Sequence, residues 1–411
     1  MADITFPSSP GIFTNRETLQ ESYTPESIVG RDEELEAYRD ALIPVVYGEK
    51  PDNVFLYGKS GVGKTACTKY IMRELGKSAN DRGVDVTVAQ VNCEQLNTSN
   101  QVAARISSRL PASEGRDPIS EFQSGWKVYE ELFERIEESG EIVIIVLDEV
   151  DSLEREGLNE AFYELTRAGA NGYIDDVKIG TVGISSDLTL REDLRNDVKS
   201  SMCEASIEFP PYDSEQLYEV LKQRCERAFN SGVVEDDVLR FCGACGAQDG
   251  GDARKALDLL RKSGDIARKR GDEKVVSGIA REARDEMEAE EVVKTIEGLS
   301  QHERITIYAL ATLQAENGDG EVYRSRAVYQ RYKELVENAH AEPVTYRRVQ
   351  QYLESFKDMN VTHAESRHRG RSGGTFLVHE LNYNVEAVVE ALLDTIDECG
   401  VHSTITGYVG T

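Results

Sequence analysis

Between residues 53 and 209, short and almost unbroken apolar runs alternate with amphipathic stretches. The runs are NVFLYG (53–58), VDVTVAQVN (84–92), EIVIIVLDEVD (141–151), VKIGTVGIS (177–185) and SIEF (206–209). Uninterrupted apolar strands separated by helical segments predict a parallel sheet buried on both faces, an α/β layer fold. FPPYD (209–213) then breaks the pattern with two prolines.

From Ser214 to about Glu297 no run has strand character. SEQLYEVLKQRCERAF, DDVLRFCGACGAQ and GDARKALDLLRKSGDIARKR carry helical spacing, and each opens on Ser, Asp or Gly. From about Gly298 the pattern changes again. QHERITIYALATLQ, RAVYQRYKELVENA and VTYRRVQQYLESFKDM read as three helices. VTHAESRHRGRSGGTFLVHEL reads as a strand, a Gly/Arg tip and a second strand. Three helices and a hairpin outline a winged helix-turn-helix. The expected domains are an α/β domain over 1–211, a helical domain over 212–297 and a winged-helix domain over 298–411.

Composition narrows the class. A chain of 411 residues exceeds one typical domain, and 39% hydrophobic residues suffice to build cores. No run of about 18 apolar residues occurs, so no membrane span is expected. The opening MADITFPSSP has neither the basic nor the apolar region of a secretory signal. Seven scattered cysteines fit a reducing cytoplasm. Cys242 and Cys245 in FCGACG have no second CxxC beside them, so they read as parts of a buried helix rather than a metal site. The net charge is −28, with acids spread along the whole chain and only 16 of 47 basic residues being Lys. Dispersed acids with few lysines read as adaptation to high salt. The other reading is an acidic surface for basic partners.

GKSGVGKT supplies the first chemistry. Gly58, Lys59, Ser60, Gly61, Val62, Gly63, Lys64 and Thr65 fit G-x-x-x-x-G-K-[ST], after a strand and before the helix TACTKYIMREL. Glycines let backbone N–H groups curl around phosphates, and the helix start favours the anion. Lys64 is placed to reach the β- and γ-phosphates of ATP or ADP, and Thr65 to hold Mg²⁺. The bland alternative is a strand-to-helix turn without ligand. The run IVIIVLDEVD weakens that alternative: Asp148 and Glu149 end a buried strand, where open α/β sheets bind ligands. Asp148 suits Mg²⁺, and Glu149 suits a base that polarises the attacking water.

Near the C-terminus, Val349, Tyr352, Leu353 and Phe356 fall at i, i+3, i+4 and i+7 and form a buried helix face. Arg347, Arg348, Gln350 and Gln351 lie off that face, suited to the major groove, where Arg reads guanine and Gln reads adenine. An ordinary solvated face is the alternative. Between Val322 and Gly373 ten Arg/Lys stand against six Asp/Glu, a local reversal of sign in an acidic chain. DNA affinity rests on neutralised phosphates, so basic charge belongs on the binding face. Arg367, Arg369 and Arg371, in SRHRGRSGG, are placed to reach a minor groove or its phosphates from the hairpin tip.

Several segments together carry a family resemblance: IVGRDEELEAY (28–38), the phosphate loop, GISSDL (183–188), VKSSM (198–202), FPPYD and GDARKALDLLR (251–261). In content, order and spacing the chain resembles the AAA+ archaeal origin-recognition and replication-licensing initiators, relatives of the eukaryotic origin-recognition complex. The resemblance covers essentially the whole chain. It implies an AAA+ parallel-sheet nucleotide-binding domain with a helical lid, followed by a winged helix-turn-helix domain. It also implies that Ile28, Val29 and Gly30 line the adenine side. Tyr212 and Arg224 would complete the pocket from the lid, and Arg254 would sense the γ-phosphate. The implied partners are double-stranded origin DNA, the MCM helicase and other initiator paralogues. The implied setting is the cytoplasm, at the nucleoid and not at a membrane.

Two positions depart from the family pattern. Ser186 stands where the family has a sensor Asn. Asp197 stands where an arginine usually faces a neighbouring subunit's ATP, with Arg195 two residues earlier as the nearest substitute. An arginine finger contributes about 10³–10⁵ in rate. ATP binding with slow hydrolysis is therefore expected. Two other functions fit an ATPase fused to a winged helix: an ATP-gated transcription regulator and a helper ATPase for mobile DNA.

Overall fold

The computed structural model describes residues 11–317, 322–359, 361–369 and 373–408. The chain divides into two compact units, 1–280 and 281–411.

In the first unit, α1 (Asp32–Val46), β1 (Val54–Tyr57), α2 (Lys64–Asn80), β2 (Val86–Asn92), α3 (Ser99–Ser107) and α4 (Gly125–Glu137) lead to β3 (Ile142–Asp148). Then come α5 (Arg155–Arg167), β4 (Lys178–Ser185), α6 (Leu190–Asp193), α7 (Asn196–Met202) and β5 (Ala205–Glu208). The five strands are all parallel, in the order β2-β3-β4-β1-β5. Each expected strand is present, within a few residues of its expected ends. The central strand shows why its sequence is unbroken: every residue of β3 is buried. Val143, Ile145 and Leu147 face a core built with α3, α4 and α5, while Ile142, Ile144 and Val146 face one built with α1 and α2. Alternate side chains thus enter two cores, and neither face tolerates a polar residue.

The strand order places the C-terminal ends of β1, β3 and β4 together, and the chemistry gathers there. β1 ends at the phosphate loop, β3 at Asp148 and β4 just before Ser186. Beyond β5 the unit is helical: α8 (Ser214–Ala228), α9 (Asp236–Gln248) and α10 (Ala253–Arg270). Asp213 starts α8 in a reciprocal capping box with Gln216, and Asp252 caps α10 through Arg254 N–H and Lys255 N–H. Cys242 and Cys245 are buried on α9, and all seven cysteines are free.

After α11 (Ser277–Glu297), the second unit contains α12 (Gln301–Asn317), β6 (Tyr323–Arg324), α13 (Ser325–Asn338), α14 (Tyr346–Asp358), β7 (Thr362–Arg369) and β8 (Gly373–Leu381). It closes with α15 (Val385–Ala391) and α16 (Leu393–Cys399). The expected helices and hairpin are there, and Val349, Tyr352, Leu353 and Phe356 are the buried face of α14. Three elements exceed the expectation. β6 joins β8 to make a three-stranded sheet, β6-β8-β7; its two residues are too few to show alternation. The helices α15 and α16 follow the hairpin, and Val385, Val388, Val389, Leu392 and Ile396 carry them into the core. Among the described residues no helix is long and apolar enough to cross a membrane.

Candidate functional site

A cleft of about 850 Å³ runs from the strand ends to the lid helices, a size suited to a nucleotide. Val29, Gly61, Gly63, Lys64, Thr65, Asp148, Glu149, Ser186, Tyr212, Arg224 and Arg254 all line it, so most of the expected site converges. Ile28 lines it too. Gly58, Lys59, Ser60 and Val62 complete the turn between β1 and α2.

The turn shows why it needs glycine. Gly61 and Gly63 have φ of 77° and 93°, in the left-handed region that L side chains avoid. A Cβ on Gly61 would strike the Asp252 carboxylate, and one on Gly63 would press on the Tyr212 hydroxyl. Both obstacles come from the lid side, and Ala253 N–H donates to Gly61 O at 3.0 Å. The phosphate loop and the start of α10 are therefore in direct contact.

Lys64 is buried and donates to Gly58 O at 2.6 Å, Lys59 O at 2.7 Å and Ser186 Oγ at 3.4 Å. Burial pulls its pKa down to about 8, against the pull of Asp151 and Asp148. Thr65 Oγ1 donates to Asp148 Oδ2 at 2.9 Å. Burial also pushes the Asp148 carboxyl above its ordinary range, while Thr65 and the Glu149 N–H hold it down. Glu149 has a φ of 56°, rare for a non-glycine residue, which turns it out of the strand line. Its carboxyl is raised by burial and then by Asp148, with Asn92 hydrogen-bonding it in opposition. A hydroxyl beside a carboxylate is a hard oxygen donor set, which fits Mg²⁺.

From the lid, Arg254 hydrogen-bonds Ser60 in the phosphate loop and pairs with Glu21. Arg224 is buried, lies 4.6 Å over the Tyr23 ring and donates to Thr18 O at 3.1 Å. Arg195 stands apart. Its guanidinium donates to both Asp197 oxygens at 3.2 and 3.1 Å, half-exposed, and it is not a wall of the cleft. Ser186 holds its place at the strand end through its N–H, which donates to Asp151 at 2.9 Å.

Four contributors escaped the sequence reading. Arg31 is 1% exposed; its guanidinium lies 3.6 Å from the Tyr212 ring centroid. It donates to Val62 O at 3.1 Å and Pro210 O at 2.6 Å, and pairs with Glu34 at 2.8 Å. It thus ties the phosphate loop to the chain entering the lid. Asn92, at the end of β2, reaches Glu149. Arg109 and the segment around Tyr23 wall the cleft. Asn92 alone had a signal, as a polar residue ending an apolar strand.

In the second unit, Arg347, Arg348, Gln350 and Gln351 are all exposed on α14. Arg348 donates to Gln351 Oε1 at 3.1 Å and lies 5.0 Å from the Tyr352 ring centroid. Arg367 on β7 is exposed and pairs with Glu365 at 3.0 Å. Arg369 ends β7, and Arg371 lies outside the described residues. Arg324, on β6, lies 4.0 Å over the Phe376 ring.

Family models match three stretches: an AAA ATPase domain over 27–174, a Cdc6 AAA+ ATPase-type lid domain over 218–285, and a CDC6 C-terminal winged-helix domain over 294–391. The ORC1-type DNA replication protein 2 of Haloarcula marismortui is 45% identical over 400 residues, covering 97% of this chain and 95% of the relative. The chain belongs to the ORC1-type DNA replication proteins. Another member, from Pyrococcus abyssi, is 38% identical over 91% of this chain and 88% of its own length. The solved structure of the Aeropyrum pernix ORC1 protein in complex with DNA matches at a TM-score of 0.74 and 35% identity, covering 94% of this chain and 98% of that one. Haloarcula is a halophilic genus, which agrees with the salt-adapted reading of the acidity. This ORC1-type chain is thus a replication-initiation protein with an AAA+ nucleotide-binding fold and a winged helix.

Proposed function

We propose that this chain is an ATP-switched initiator that binds double-stranded origin DNA through α14 and the β7–β8 wing and helps recruit or load the replicative MCM helicase. The observation that carries the switch is the contact of the lid with the phosphate loop: Arg254 reaches Ser60, and Ala253 N–H reaches Gly61 O. A γ-phosphate bound in the loop would offer that guanidinium an anion to pair with, and α10, which carries Arg254, would feel its presence. The DNA complex of the Aeropyrum pernix relative supports the DNA half of the reading.

In this account Lys64 and the loop N–H groups bind the phosphates. Thr65 and Asp148 would hold Mg²⁺, which spreads the charge developing on the β- and γ-phosphates. Glu149, with its raised carboxyl, orients the attacking water. The arginine that would complete the reaction from a neighbouring subunit is replaced by Asp197, and Arg195 is occupied by that acid. Hydrolysis is therefore slow, and ATP serves as a latch. Other initiator paralogues are the neighbours best suited to share such a latch on DNA.

Mapping the protein's footprints across its genome tests this function. An initiator occupies a few repeat-rich sites, and MCM accumulates beside them. Occupancy spread over many promoters would instead make the chain a transcription regulator.

A further inference from the structure

The segment ahead of α1 lies along the lid and is held there repeatedly. Thr14 N–H and Asn15 N–H donate to Ala228 O at 2.8 and 3.1 Å, and Arg16 pairs with Asp265 on α10 at 2.6 Å. Arg224 donates to Thr18 O at 3.1 Å, and Arg227 holds the Tyr23 hydroxyl at 3.0 Å and Glu26 at 2.6 Å. Gln223 donates to Ser27 Oγ at 2.7 Å. The backbone on both sides of Glu21 is thus held against the lid, which keeps its exposed carboxylate within reach of α10.

Glu21 lines the nucleotide cleft and pairs with Arg254, the same guanidinium that bonds Ser60 of the phosphate loop. The Arg254 charge reaches across the cleft, where it acts on Lys64 and Glu149. We propose that Glu21 sets the preference of the site for ATP over ADP by competing with the γ-phosphate for Arg254. ADP leaves the Glu21–Arg254 pair intact. ATP has to displace the carboxylate, and the lid arginine then exchanges one anion for another. The N-terminal segment is released from Arg254 in the ATP state only. This inference rests on the reading of Arg254 as the γ-phosphate sensor.

The test is a double-mutant cycle on the full chain, titrated with ADP and with adenylyl-imidodiphosphate at one KCl concentration. Glu21→Gln should bind the triphosphate analogue about two- to five-fold more tightly, the range of an exposed ion pair, with ADP affinity unchanged. Arg254→Ala should weaken the analogue relative to ADP, and in that background Glu21→Gln should change nothing. If Arg254→Ala leaves the triphosphate-to-ADP ratio untouched, the sensor reading fails and the proposal with it. If Arg254→Ala lowers the ratio but Glu21→Gln does not raise it, the sensor stands and Glu21 is only a surface anchor of its segment.

Discussion

Lys64→Ala should lower ATP affinity by at least about 100-fold, because two charge-assisted hydrogen bonds of about 1.5–3 kcal/mol each are lost. The fold should survive. The lysine itself lines the cleft, and its acceptors there are the Gly58 and Lys59 carbonyls and the Ser186 hydroxyl, not side chains of the apolar cores. A second readout isolates the ammonium. Its pKa is about 8 in the cleft because burial disfavours the charge. A phosphate beside it restores the charged form and moves the pKa back toward the ordinary 10.5. Between those values the free protein is partly deprotonated and the complex is protonated, so nucleotide binding takes up protons. Calorimetry at pH 8.5 in two buffers of different ionisation enthalpy should show that uptake in the wild type and lose it in Lys64→Ala. Equal uptake in both would assign the proton to another group.

The second large effect concerns α14. Arg347→Ala with Arg348→Ala should weaken binding to an origin duplex by about 2 kcal/mol, roughly 30-fold, since a base-reading arginine is worth about 1–3 kcal/mol and a phosphate contact adds to it. Thermal stability should hardly move, since both side chains are exposed and the core face of Val349, Tyr352, Leu353 and Phe356 is untouched. The two arginines should separate in character. Arg348 is braced by Gln351 and the Tyr352 ring, which pre-organises it for one base edge. Arg347 has no ion-pair partner among the described residues and suits a phosphate. Loss of Arg348 should therefore relax sequence preference, whereas loss of Arg347 should weaken all sequences alike and reduce the salt slope by about 1. Unchanged affinity in the double variant would return this face to a solvated surface.

Much of this was legible in the chain. The phosphate loop could be read because its glycines obey a local rule: a left-handed backbone at Gly61 and Gly63 is a property of the turn itself. The strand carrying Asp148 could be read because burial on both faces demands an unbroken apolar run. The face of α14 followed from its period. Arg31 could not be read, because nothing near it in sequence shows that it is buried beneath Tyr212 and bonded to Pro210 O, 179 residues away. Glu21 and Tyr23 sit in a polar segment without periodicity, and only contacts with α8 and α10 bring them to the cleft. β6 was invisible for another reason: two residues cannot alternate. The helices α15 and α16 did carry a period, but the winged-helix outline was already complete without them.

The central claim is that the nucleotide in the cleft controls the grip on origin DNA. Footprinting an origin fragment in molar KCl tests it most directly, using wild type and Lys64→Ala with adenylyl-imidodiphosphate, with ADP and without nucleotide. The account predicts strong protection by the wild type with the triphosphate analogue, and equally weak protection by Lys64→Ala in all three conditions. Protection by the wild type that is the same in all three would contradict it.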